Sequence, residues 1–167
     1  MLLRDGKTLV VAYPDGHGRG NLILRRSIDA GKSWRPLPIA AQRVEETPVL
    51  YRLDLPGGKE RILLVTCQPR KSTLEWMWSD DRGESWSPRR AWKLEGPNGI
   101  IVALASLWAV PGDQPCWRGI FHDFGFDNWT VDLHLEATTT GAPALRFDNL
   151  RRMDFASPAG RAAANRA

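Results

Sequence analysis

Residues 27–34 read Ser-Ile-Asp-Ala-Gly-Lys-Ser-Trp, and residues 79–86 read Ser-Asp-Asp-Arg-Gly-Glu-Ser-Trp. Both follow one frame, in which Ser, Asp, Gly, Ser and Trp stand at positions one, three, five, seven and eight. The two copies start 52 residues apart, at residues 27 and 79, a spacing typical of repeat architectures built from supersecondary units. Short Ser and Asp side chains hydrogen-bond the backbone of tight turns, and Gly accepts a positive φ. Each copy is therefore predicted to be a fixed turn between two strands, with its Trp pinning the turn to a sheet.

The frame resembles the Asp box of the bacterial neuraminidase repeat, which occurs in sialidases and in other β-propellers. The resemblance implies that the box residues are structural rather than catalytic. Eight residues carry it: Ser27, Asp29, Gly31, Trp34, Ser79, Asp81, Gly83 and Trp86.

The resemblance also implies an all-β fold, a partial six-bladed sialidase-type β-propeller with about three four-stranded antiparallel blades. Apolar runs separated by Gly and Pro turns agree with three strand cycles. The predicted blades are about 1–42, 43–95 and 96–149, and no intact box is found in the third. Residues 150–167 are rich in Arg and Ala and are expected to be a flexible tail.

Composition limits the classes of partner. The formal charge is +4, but basic residues are interleaved with acidic ones, which argues against nucleic acid. Cys67 and Cys116 lie far apart without metal-ligand spacing, so we expect free buried thiols, no metal and no cofactor. The N-terminal residues carry charge too early for a signal peptide, and no stretch could span a membrane. As written, the chain is therefore expected to be cytoplasmic. If the N-terminus is truncated, the compartment is unknown.

Strand alternation indicates where a site would lie. If strands alternate in direction, the box turns share one rim with the turns at residues 5–6 and 57–58. The opposite rim collects the loops between second and third strands and the connections from blade to blade. We call this opposite rim the loop rim, and it is the predicted site. Its candidate residues are Asp15, His17, Arg19, Glu46, Arg70, His122 and Asp123.

Residues 5–34 are similar to the first blade of exo-sialidases, which implies that Asp15 is the acid/base residue. The alternative is that Asp15 only forms a Pro-Asp-Gly turn. Arg19 is placed where a guanidinium could bind a sugar carboxylate, or it is an ordinary loop residue. His17, Glu46 and Arg70 complete the predicted substrate-binding set.

Two elements of the family pattern are missing. No Arg-Ile-Pro motif is present, so the arginine triad is incomplete. Sialidases use a Tyr nucleophile, but Tyr13 and Tyr51 lie in β runs and are expected to pack, and no Tyr and Glu pair is found.

His122 and Asp123 form the other candidate pair, because residues 119–123 resemble a Phe-His-Asp stretch of sialidase-like propellers. His122 could act as a general base or bind a sugar hydroxyl, or it could simply bond a loop carbonyl.

Two functions remain open, and a truncated product with no role of its own is a third alternative. One is a sialidase-like glycoside hydrolase that acts on a sialoside or another glycan and is incomplete in this chain. The other is a non-catalytic Asp-box propeller piece that binds carbohydrate or protein. Exposed apolar blade faces would favour a homodimer that completes the ring.

Overall fold

The predicted all-β class is confirmed. The fold is seen in a computed structural model of the chain, which describes residues 1–16, 19–38, 43–45, 48–68, 70–138 and 143–154. The strands of this part are β1 Leu9–Pro14, β2 Arg19–Ser27, β3 Arg35–Pro36, β4 Arg43–Glu45, β5 Val49–Asp54, β6 Glu60–Cys67, β7 Thr73–Ser79, β8 Arg90–Lys93, β9 Val102–Val110, β10 Cys116–His122, β11 Asn128–Glu136 and β12 Ala144–Arg152. A 3-10 turn covers Pro56–Gly58. Within these ranges no helix is long and apolar enough to cross a membrane.

The strands form three four-stranded antiparallel sheets in chain order. The first has the order β1-β2-β3, with β4 also paired to β2; the second is β5-β6-β7-β8 and the third β9-β10-β11-β12. A bridge from Leu2 to Leu9 adds the N-terminal residues to the first sheet. Each sheet is thus built from strands that are adjacent in sequence, as the repeat predicts.

The second sheet lies between the other two. Residues 61–67 of its strand β6 are all buried, and strand alternation sends them to opposite faces. Ile62 and Leu64 pack with Val10 and other residues of the first sheet. Leu63 and Val65 pack in a separate cluster with residues of the third sheet that include Leu104, Val131 and Leu133. The molecule therefore has two apolar cores, one on each side of β6.

Contacts along one edge join the first and second sheets. Arg4 donates to the carbonyl of Gly58 at 3.1 Å, and Arg82 of the second box lies 3.3 Å from Asp5. Because β1 and β6 both run away from this edge, their other ends lie together on the opposite edge. The second box thus lies on the same edge as the turns at Asp5 and Gly58, and the loops after β1 and β6 lie on the opposite edge, as the alternation of strands predicts.

Two sheets extend about three residues past the approximate blade limits predicted at 42 and 149. Strand β4 (Arg43–Glu45) pairs with β2, so the first sheet extends past residue 42. Pro36 and Pro38 lack the N–H that a ladder needs, and this explains why the outer strand is broken into β3 and β4. Strand β12 continues to Arg152, three residues past the predicted end at 149. Residues 155–167, most of the predicted tail, lie outside the described part.

The uncovered faces of the outer sheets differ in chemistry. The first sheet exposes Tyr13 on its uncovered face, and the half-buried Val11 and Ile23 lie on the same face. The third sheet instead carries ion pairs on its uncovered face, with Arg118 bound to Asp132 and Arg146 bound to Asp148. Trp108 is 37% exposed and stands opposite Arg118 in the register, so the uncovered face of the third sheet carries both charged and apolar side chains.

Candidate functional site

The two boxes have the same hydrogen-bond pattern. In the first, Ser27 Oγ donates to Asp29 and accepts from the Gly31 amide, while Asp29 accepts from the amide and hydroxyl of Ser33. In the second, Ser79, Asp81, Gly83 and Ser85 make the same bonds. The backbone agrees as well, with φ of 88° at Gly31 and 85° at Gly83.

These bonds keep both box carboxylates ionised. Hydrogen bonds from the Ser33 hydroxyl and amide, and from Ser27, lower the pKa of Asp29 to about 2. Burial alone would raise the pKa of Asp81, but hydrogen bonds from Ser85 and Ser79 outweigh it and lower that pKa. A carboxyl that stays ionised cannot donate a proton near neutral pH, so both aspartates serve the turns.

The box tryptophans differ in packing. Trp86 packs against the core between the first and second sheets. Trp34 is 38% exposed, and its Nε1 donates to the carbonyl of Gly31 at 3.1 Å. The predicted pinning to a core is seen for Trp86, whereas Trp34 braces its own turn.

At the loop rim, the connection from β8 to β9 is held between two other loops. The Ile100 amide donates to the Lys71 carbonyl at 3.1 Å, and the Phe124 amide donates to the Asn98 carbonyl at 3.2 Å. A Cβ built on Gly99 would lie 2.9 Å from the Phe124 ring and 3.5 Å from the backbone of Arg70. The structure therefore brings Arg70 and the His122–Asp123 region to one place, the central part of the candidate site.

Asp123 is the structural centre of its loop. It is 1% exposed. Its Oδ1 accepts the amides of Gly125 and Asp127, at 2.8 and 3.0 Å. Its Oδ2 accepts the Asn98 amide and Trp129 Nε1, at 2.9 and 3.1 Å. Burial opposes ionisation, but these four donors outweigh it and lower the pKa of Asp123, so this carboxylate is suited to holding loops and not to giving up a proton.

Asp15 lies at the end of β1 and has an exposed side chain. It accepts the Asn21 amide at 2.7 Å and the Asn21 side-chain amide at 2.9 Å. A Cβ on Gly20 would lie 2.3 Å from Asp15 Oδ1, so the glycine gives the carboxylate room. These contacts are those of a turn former, the alternative that the sequence left open, and they leave catalysis by Asp15 a prediction.

His122 ends β10, with its backbone paired to Val102 and Asn128. Its imidazole is partly exposed and forms no hydrogen bond with the part of the chain that the structure describes. Arg70 is exposed and has a φ of 54°. Of the predicted site residues around the connection from β8 to β9, His122 and Arg70 are therefore the two with solvent-accessible side chains.

Both tyrosine hydroxyls are hydrogen-bonded. Tyr51 donates its hydroxyl to the Leu104 carbonyl at 3.0 Å, and burial raises its pKa to about 12. Tyr13 was expected to pack, but it is 39% exposed, and its hydroxyl accepts from Arg25 Nε at 2.9 Å.

The side chains of three other predicted site residues are not among those that the structure describes. His17 and Glu46 lie outside the described residues, and of Arg19 only the backbone, as the first residue of β2, is described.

A second polar cluster was missed by the sequence reasoning. Cys116, Asp132 and His134 each offer one ligand atom, and these atoms lie within 4.8 Å of one another. Cys116 is far from the other two in sequence, and Asp132 and His134 are two residues apart. Only the strand register therefore places all three together. Both cysteines are free, with Cys67 buried as predicted and Cys116 only half-buried.

A scan against protein-family models gives no match, and comparisons with curated proteins and with solved structures give none either. The function of the chain is therefore inferred from its own residues.

Proposed function

We propose that the chain is a segment of a sialidase-like Asp-box β-propeller whose loop rim binds a sialoside or a related glycan. The observation that carries this proposal is the pair of boxes with one hydrogen-bond pattern. Three sequential four-stranded antiparallel sheets agree with it. The box itself is a structural device, so the ligand is argued from the rim.

The side chains at the loop rim favour glycan binding over glycan hydrolysis. His122 has an imidazole without a partner in the described residues, and Arg70 adds a guanidinium donor, so both can hydrogen-bond sugar hydroxyls or a carboxylate. The Asp123 carboxylate and the Tyr51 hydroxyl are already engaged, since Asp123 holds loops and Tyr51 bonds to a backbone carbonyl. A sialidase mechanism needs a Tyr nucleophile and an acid, so these side chains are better suited to sugar recognition.

Hydrolysis is the second candidate, and one observation favours it. The Asp15 side chain is exposed at the end of β1, on the same edge as the end of β10. A glycan that extended to Asp15 would have a carboxyl group beside its oxygen atoms, and such a group can act as an acid or a base.

One set of measurements separates the two functions. Binding of a sialoside is followed by ligand-observed NMR, and hydrolysis with a fluorogenic sialoside, for the full chain and for His122→Gln, Asp15→Asn and Asp113→Asn. Asp113 is an exposed control in the turn between β9 and β10. We expect binding without turnover, weakened roughly 2- to 10-fold in His122→Gln, the range of one lost hydrogen bond, and unchanged in Asp113→Asn. Turnover that Asp15→Asn abolishes would support hydrolysis instead, and neither binding nor turnover would contradict both.

Self-association is part of the same proposal. A second copy could cover the face of the first sheet that carries Tyr13, Val11 and Ile23. Closed pairing of identical faces is the common route to a dimer. Sedimentation velocity should give a dimer that Tyr13→Glu weakens, whereas a monomer at every concentration would contradict it.

A further inference from the structure

We propose that Cys116, Asp132 and His134 bind a divalent transition metal of the zinc class on the uncovered face of the third sheet. This site is separate from the loop rim. Cys116 begins β10 and His122 ends it, so the cluster and the rim lie towards opposite ends of the same strand.

Strand register assembles the cluster. Cys116 of β10 pairs with His134 of β11, so the two side chains face the same way. Asp132 lies two residues earlier on β11 and therefore on the same face. One ligand atom from each of the three lies within 4.8 Å of the others, close enough for small side-chain movements to place all three around one ion. Tetrahedral zinc with bonds of about 2.0–2.3 Å holds its ligand atoms about 3.3–3.8 Å apart, so binding would draw these side chains together by up to about 1 Å.

The donor types identify the class of metal. A thiolate, an imidazole nitrogen and a carboxylate oxygen are the ligands that zinc uses in proteins, whereas calcium and magnesium prefer oxygen alone. Three protein ligands leave a fourth tetrahedral position for water or another small donor.

A carboxylate orients the imidazole. His134 Nε2 lies 3.0 Å from Asp148 Oδ1 on β12, and since a carboxylate can only accept, Nε2 carries the proton. The lone pair of Nδ1 remains available. Metal-binding histidines in proteins commonly donate their second N–H to a carboxylate in this way. Asp148 is itself paired with Arg146, which holds it in place.

The Asp132 carboxylate retains an acceptor position that a metal ion could use. It is 5% exposed. Its Oδ1 accepts from Arg118 Nε at 2.7 Å, and its Oδ2 accepts from Arg118 Nη2 and from Asn149. A carboxylate has about four acceptor positions, so Oδ1 can still bind an ion. Arg118 balances the charge of Asp132 when no ion is bound, and a thiolate at Cys116 would balance part of the charge of the ion.

Cobalt(II) titration of the full chain tests the site, because a cobalt–thiolate bond gives a charge-transfer absorption band that oxygen and nitrogen ligands alone do not. The chain has two cysteines, so Cys67→Ala is the matched control for Cys116→Ser. We expect the band in the parent chain and in Cys67→Ala, its loss in Cys116→Ser, and its displacement by zinc.

Two further variants address the other donors. His134→Gln should weaken cobalt binding at least about 10-fold, and Asp148→Asn by about 10- to 100-fold, the cost of removing an outer-shell partner. Circular dichroism confirms that each variant is folded. No band in the parent chain, a band retained in Cys116→Ser, or an unchanged affinity in His134→Gln would each overturn the proposal. Because none of these readouts involves a glycan, failure here leaves the proposed function untouched.

Discussion

Replacing Asp123 by Asn separates a structural from a catalytic role for this carboxylate. The substitution preserves shape but leaves one acceptor oxygen in place of two. That oxygen can accept from Gly125 and Asp127, or from Asn98 and Trp129, but not from both pairs. In either orientation the new amide group faces two donors at a site that is 1% exposed.

The expected cost follows from the lost bonds. A hydrogen bond to a charged acceptor contributes about 1.5–3 kcal/mol, so losing two lowers the free energy of unfolding by about 3–6 kcal/mol. This is a large share of the roughly 5–15 kcal/mol that stabilises a typical domain. Urea unfolding followed by tryptophan fluorescence measures the loss, and the eight tryptophans provide the signal.

Asp127→Asn is the matched control. Its carboxylate pairs with Arg152 at 2.6 Å near the surface, and exposed ion pairs contribute little to stability. The structural reasoning fails if Asp123→Asn is as stable as Asp127→Asn to within about 1 kcal/mol. A folded, stable Asp123→Asn that lost glycan turnover would instead restore the catalytic role.

Three further predictions concern the boxes and their surroundings. Gly83→Ala should lower the thermal midpoint and cost about 1 kcal/mol or more, because φ is 85° and the new Cβ would lie 3.3 Å from Val10; an unchanged midpoint would contradict it. Glu84→Gln should lower the urea midpoint, because Glu84 neutralises the buried Arg26 across the sheets, and a loss that high salt does not reduce would argue against an ionic origin. The pKa values of Asp5 and Asp29 are lowered to about 2 from 3.8. The stability that these two carboxylates add to the folded protein is therefore complete above about pH 4 and is lost as the pH falls towards about 2. Urea midpoints that stay constant through this window would refute the prediction.

Local features of the fold could be predicted from the sequence. The turn of Ser27, Asp29 and Gly31 closes on itself within one short stretch, so that stretch carries all the information needed. The order of the strands follows for a similar reason, since neighbours in the sheets are also neighbours in the chain except where β4 pairs with β2.

Features that depend on distant partners could not be predicted. The role of Asp123 depends on Asn98, 25 residues away, and nothing in the stretch 119–123 indicates that the loop between β8 and β9 lies against it. The placement of Cys116 beside His134 depends on the register of β10 and β11. A shift by one residue would turn one of the two side chains to the other face.

The first sheet shows a third kind of limit. Its end was predicted at about residue 42, and β4 at 43–45 still pairs with β2. Proline marks where a ladder breaks, and it does not show whether the chain rejoins the same sheet afterwards. That outcome depends on apolar packing, and Val44 is fully buried in the core between the first and second sheets.

The position of β6 has a consequence for how the molecule comes apart. Both faces of this strand are covered and both of its edges are paired, so its amides can reach solvent only when a large part of the molecule opens. Amide protons of residues 61–67 should therefore be the last to exchange with deuterium, at a rate set by global unfolding. The outer sheets share a core with β6 on one side each, so loss of either would leave an apolar surface of the middle sheet without cover, and the three sheets should behave as one cooperative unit.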